Sequence, residues 1–140
     1  KYAFIINFSR YTSWSEPSPT SQGDYAICVF GYNGLGAALP RLEEKLVQGQ
    51  RISTRVINRL DDAKSCRLLF FPKGTEEALA NDQVPTTTYR VLTISEVSGI
   101  GMINLVSQDG RLGFEIDQTG AHKMGITFSS QLLKLAIEVR

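Results

Sequence analysis

The sequence predicts an α/β domain: a mixed, mostly parallel sheet of about six strands, Rossmann-like, with helices on both faces and a C-terminal β-hairpin. Three observations carry this. Short apolar runs such as Tyr25 to Phe30 and Leu68 to Phe71 are uninterrupted, as in strands buried on both faces. They alternate with helical patterns over the first two-thirds of the chain. Two further runs flank Asp109-Gly110, the dipeptide best suited to a tight turn with positive φ.

The elements follow in order. Residues 1–11 read as a helix, with Ala3, Phe4, Ile6, Phe8 and Tyr11 at mostly helical spacing. Trp14 precedes a loop rich in Ser and Pro, residues 15–23. Residues 25–30 form the first strand and Gly31 to Gly36 a turn. A helix is expected over about residues 39–47, with Pro40 in its first turn, where a missing N–H is tolerated. Ile52 to Ile57 alternates well enough for a second strand, Leu68 to Phe71 is the third, and Val91 to Ile94 the fourth. A loop and short helix fill residues 72–82. Gly101 to Val106 and Gly113 to Asp117 are the two hairpin strands and form an antiparallel edge. Two helices close the chain, residues 118–124 and 129–139, the second with Leu132, Leu133, Leu135 and Ala136 as its apolar stripe.

Bulk properties exclude several classes. With 140 residues the chain can bury a core without staples. At 42% hydrophobic and 21% charged it is not a disordered or low-complexity segment. Fifteen basic and 14 acidic residues leave a net charge of +1, and the basic residues are scattered, so no nucleic-acid surface is expected. No apolar run approaches the ~20 residues that span a bilayer. The chain opens at Lys1 inside a helical pattern, without a Met, which suggests a longer natural product.

No catalytic set can be assembled. His122 is the sole imidazole, has no assignable nucleophile or metal partner, and is expected at the surface beside Lys123. Two cysteines and one histidine do not complete a structural zinc site, so no metal or cofactor is expected. The adjacent carboxylates Glu43-Glu44, Asp61-Asp62 and Glu76-Glu77 point in different directions on a helix and are not dyads. Gly31-Tyr32-Asn33-Gly34-Leu35-Gly36 sits where a nucleotide-binding fold places its phosphate turn, but its order is G-x-x-G-x-G and no Gly-Lys-Ser/Thr follows. It reads better as a tight turn needing positive φ. Asn104 and Glu115 are polar groups on strands that otherwise look buried. Each either satisfies backbone or solvent, or lines a ligand pocket with Arg111. Cys28 in the first strand and Cys66 at the entrance of the third fit either a cross-strand disulfide or two buried free thiols. A bridge would contribute roughly 4 kcal/mol through loop closure.

Several of these residues together resemble a known family. Phe4, Asn7, Phe8 and Trp14 match an "F-x-x-N-F … W" opening. Ile27-Cys28-Val29-Phe30-Gly31, Cys66 with Leu69-Phe70, and Val91-Leu92-Thr93-Ile94-Ser95 follow in order. Gly101-Met102-Ile103-Asn104 with Phe114-Glu115-Ile116, then Ser129-Ser130 and the leucines after it, complete the pattern. The pattern is similar to that of the YfiR-like family of bacterial periplasmic regulators, with residues 1–140 as a single domain of that kind.

The resemblance implies a non-enzymatic, exported protein in the periplasm, which favours the Cys28–Cys66 disulfide. It implies a regulator that represses or modulates a membrane-bound signalling enzyme, such as a diguanylate cyclase, by contact with its periplasmic portion. Such an action would set cyclic-di-GMP levels and biofilm formation. The second expectation is a small-molecule-sensing extracytoplasmic domain of a histidine kinase or cyclase receptor. Its ligand would lie near Gly31, Tyr32 and Asn33 at the carboxyl ends of the strands, or near Asn104, Arg111 and Glu115. A homodimer is expected through the opening helix, whose Tyr2, Phe4, Ile5, Phe8 and Tyr11 carry more apolar surface than one helix face needs.

Overall fold

The computed structural model describes residues 2–14, 24–31, 46–47, 49–74, 91–96 and 100–140. The first helix, α1 (Tyr2–Arg10), leads into the short strand β1 (Thr12–Trp14). Then come β2 (Tyr25–Phe30), β3 (Leu46–Val47), β4 (Gln50–Ile57), a 3-10 turn (Leu60–Ser65), β5 (Leu68–Phe71) and β6 (Leu92–Ser95). The hairpin is β7 (Ile103–Gln108) and β8 (Arg111–Ile116). The chain ends with α2 (Gln118–Lys123), β9 (Ile126–Phe128), α3 (Ser130–Leu135) and β10 (Glu138–Val139).

Eight strands form the main sheet, in the order β10-β8-β7-β6-β5-β2-β4-β3. The five central strands β7, β6, β5, β2 and β4 are mutually parallel. Taken in chain order they read 2-1-3-4-5, the flavodoxin-type order rather than the Rossmann one. Their composition explains their place: β2, β5 and β6 are buried at every residue, as strands covered on both faces must be. Antiparallel strands flank this core, β3 on one side and β8 on the other.

The period of two divides the core. One face carries Ile27, Val29, Leu68, Phe70, Leu92, Ile94, Ile103 and Phe114. Onto it pack Ile5 and Phe8 of α1, Ala121 of α2, Ile126 and Phe128 of β9, and Leu132 of α3. Phe8 and Phe114 meet edge to face at 5.0 Å between centroids. The opposite face carries Cys28, Phe30, Leu69 and Phe71, covered by Leu60 and Ala63 of the 3-10 turn and by Val91. All described α-helices therefore lie on one face. The helices expected over 39–47 and 72–82 fall largely outside the described residues.

Four expectations are corrected. The sheet has eight strands rather than about six. Leu46-Val47 is a strand, turned back onto Gln50-Arg51 by Gly49 at φ 82°, not the end of a helix. The closing helix stops at Leu135, and Glu138-Val139 becomes β10, parallel to β8. The β-branched Ile137 and Val139 favour this extended conformation. In consequence the hairpin is not the sheet edge; β10 lies outside it. A second, two-stranded sheet also forms, in which Thr12 to Trp14 pairs antiparallel with Phe128 to Ile126. It ties the chain's opening to its last third.

Candidate functional site

Three groups of residues carry the polar and exposed chemistry of the described structure. The first begins at Gly101. Asn104 is only 2% exposed, and its side chain accepts from the Gly101 N–H and donates to the Gly101 carbonyl, both at 2.9 Å. The next N–H, of Met102, donates to Thr93 Oγ1 at 2.9 Å. A side chain on Gly101 would fall 2.7 Å from the Ile103 carbonyl oxygen. Asn104 thus completes the backbone hydrogen bonding of a tight entry into β7. Both ends of its amide serve the backbone of Gly101.

The second is a buried polar cluster at the amino ends of β2 and β5. The Arg67 guanidinium lies over the Trp14 ring, 4.6 Å from its centroid, and Trp14 meets Tyr25 edge to face at 6.0 Å. Burial pushes the Tyr25 phenol well above its usual range, with Ser9 and Arg67 acting the other way. Burial likewise lowers the Arg67 guanidinium, against the favourable field of Tyr25. The Ser9 hydroxyl lies near the phenol but donates to the Ile5 carbonyl at 2.9 Å. The phenol oxygen and Trp14 Nε1 form no hydrogen bond of standard geometry. This cluster braces the strand β1 against the sheet.

The third is a groove of about 520 Å³ beside the hairpin tip, lined by Asp109, Arg111, Leu112, Gly113 and Ile137. Asp109 (φ 53°) and Gly110 (φ 77°) make the tight turn, which projects past the carboxyl ends of the central strands. Gly113 forms the floor. A Cβ there would lie 2.4 Å from Ile137 Cδ1, so the missing side chain is the seat of Ile137. The Ile137 N–H donates to the Phe114 carbonyl at 2.8 Å, which holds it in place. Ile137 nevertheless stays 51% exposed, Leu135 beside it 70% and Leu112 39%. Leu112 and Ile137 line the groove, and with the exposed Leu135 two residues before Ile137 they offer apolar surface suited to a protein partner.

The residues singled out from the sequence distribute as follows. Cys28 and Cys66 are bonded, with Cα atoms 6.1 Å apart. Gly31 has φ 75° and donates to the Ile57 carbonyl, as the turn reading expects. Tyr32 and Asn33 lie outside the described residues. Asn104, Glu115 and Arg111 share one face of the hairpin, with Asn104 opposite Glu115. Arg111 is four residues along β8 from Glu115, roughly 13 Å away, and does not converge with it. Glu115 instead pairs with Arg140 at 3.6 Å. Gly31 is three strand spacings from Asn104, about 14 Å. Among the described residues, Gly31, Asn104, Arg111 and Glu115 are spread along the sheet, and Arg111 lines the groove. His122 is exposed, as expected.

The opening helix packs on the core of its own domain. Ile5, Ile6 and Phe8 are buried within the domain, Phe4 packs partly against the same core, and only Tyr11 is clearly exposed. The side chain of Tyr2 is outside the described set. Phe8 meets Phe114 of the sheet edge to face, and Phe4 lies against both rings. Leu135 belongs to the expected apolar stripe, and Ile137 and Val139 to the end of the expected helix, yet all three are exposed. The alternation Ile137-Glu138-Val139-Arg140, apolar then charged, was the available signal for a strand.

Among the described residues no group of His, Cys, Asp or Glu is placed to hold a metal, and no helix is long and apolar enough to cross a membrane. The family model described as YfiR/HmsC-like matches residues 1–137. No curated protein matches the chain.

Proposed function

The chain belongs to the YfiR/HmsC-like family, and from that premise we propose that it is a periplasmic regulator acting by protein contact. Its target is the periplasmic portion of a membrane signalling enzyme, with a diguanylate cyclase as the leading candidate. The observation that carries this reading is the exposed apolar pair Leu112 and Ile137 lining the groove at the hairpin tip, with Leu135 exposed two residues before Ile137. It is built on a rigid hairpin and seated on Gly113, so it is pre-organised for docking at little entropic cost. The disulfide supports an oxidising compartment. The side chains described offer contact surfaces rather than a nucleophile, base and orienter in reach of one another.

The test is genetic and biochemical together. Deleting the gene should raise cellular cyclic-di-GMP, and the wild-type gene should restore the basal level. Leu135→Asp combined with Ile137→Asp should fold and be exported normally, since both side chains are exposed, yet fail to restore it. An unchanged cyclic-di-GMP level on deletion rejects the cyclase as target. Full complementation by the double variant rejects the docking corner.

A further inference from the structure

We propose that the regulated partner is held at the hairpin tip by strand addition: an extended segment of it pairs with β8 at Leu112, in line with β10. The proposal rests on the docking reading above and states how the groove is read. It begins from the register of the hairpin. Asp109-Gly110 is a two-residue turn, so Gln108 and Arg111 are the first pair of the ladder and bond to each other. Bonded pairs alternate from there. Arg111, Gly113 and Glu115 therefore bond to β7, whereas Leu112, Phe114 and Ile116 aim their backbone groups away from it. Two outward bonds show the same parity. The Phe114 carbonyl accepts from the Ile137 N–H at 2.8 Å, and the Ile116 carbonyl from the Arg140 N–H at 2.9 Å.

Leu112 is where this outward row loses its cover. β10 pairs with β8 only at Glu115 and Ile116, and Ile137 closes over Gly113. Among the described residues nothing bonds the outward N–H and carbonyl of Leu112, and the groove lies beside them. A donor and an acceptor on one edge residue are what an added strand uses.

The neighbouring side chains select the occupant. Residues of an added strand alternate between the two faces of the sheet. On one face stands Leu112, 39% exposed, in the row of Phe114 and Ile116. On the other stands Arg111, exposed and without an ion pair among the described residues. The fitting segment is extended, with an apolar residue beside Leu112 and an acidic one beside Arg111. Asp109 also lines the groove, past the last ladder pair, and repels a second acidic residue toward the tip. One outward residue supplies two main-chain hydrogen bonds. An isolated segment should therefore bind weakly, at roughly millimolar concentration, and the edge chiefly fixes its direction and register.

The experiment titrates the isotopically labelled, oxidised chain with the peptide acetyl-Thr-Val-Glu-Val-Thr-amide and follows its amide resonances. The Leu112 amide should move saturably, and replacing the peptide's glutamate by lysine should weaken binding at least ~10-fold. Two variants then separate backbone from side chain. Leu112→Pro deletes the outward N–H and fills its place with the ring, at a position that gives no bond to β7. Leu112→Ala keeps the N–H and loses the apolar contact. The alanine variant should bind the peptide more weakly than wild type, and the proline variant at least ~10-fold more weakly still. In the deletion strain, Leu112→Ala should restore cyclic-di-GMP control in part and Leu112→Pro not at all. A stationary Leu112 amide, equal binding of the two peptides, or equal losses for alanine and proline would each overturn strand addition. The titration of the wild-type chain decides even where the proline variant fails to fold. It also stands apart from the cyclase assignment, which the gene deletion tests.

Discussion

Asn104 shows how one side chain can decide an element. It is a buried polar residue in β7, and it serves the N–H and carbonyl of Gly101, where no side chain fits. Asn104→Ala leaves both buried groups without partners. The expected loss is about 2–4 kcal/mol in urea unfolding, at the high end for one polar truncation. A loss near zero would mean that water replaces the amide. Tyr25 acts through protonation. Burial raises its phenol above the value near 10 of the unfolded chain. From about pH 10 upward the folded state retains a proton that the unfolded state has released. Stability is therefore complete below that point and falls as pH rises, by up to ~1.4 kcal/mol per unit. Tyr25→Phe should flatten this slope in unfolding curves taken between pH 8 and 11. An unchanged slope would assign the alkaline loss to other groups.

At the scale of elements, the disulfide and the aromatic contacts of α1 perform different tasks. Cys28 lies within β2 and Cys66 just before β5, two strands that are neighbours in the sheet. The bond closes a loop of 38 residues and is expected to add roughly 4 kcal/mol. Cys28→Ala with Cys66→Ala should lower the midpoint of thermal unfolding accordingly, and reductant should lower it in the wild type but not in the double variant. Thiol titration of the unfolded, unreduced protein should find none free. The hairpin was legible from Asp109-Gly110, since both residues sit at positive φ and few other pairs tolerate that. β10 was not legible in the same way. Leu132, Leu133, Leu135 and Ala136 continue a helical period, and only the seat at Gly113 and the hydrogen bond to Phe114 end it.

For the whole molecule, stability should fall from the centre of the sheet to its edges. β2, β5 and β6 are buried at every position, whereas β10 is exposed at both. Amide hydrogen exchange in dilute solution should be slowest in those three strands and fast in β10. Uniform exchange rates across the sheet would contradict this gradient.

The sequence by itself determined the class of fold, because that information is local. Uninterrupted apolar runs mark doubly covered strands, Asp109-Gly110 marks the turn, and the ordered motifs from Phe4 to the closing leucines mark the family. It also narrowed Cys28 and Cys66 to a bridge or a pair of buried thiols. Only the tertiary structure decided which strands are neighbours, and hence that those cysteines are bonded and that Ile5, Ile6 and Phe8 of α1 belong to the core. The same holds for the candidate site. Arg111, Leu112 and Ile137 come together because the segment leading into β10 lies along β8 over a glycine. That pairing joins segments more than twenty residues apart, and a period in the sequence reports the face of an element but not what that face meets.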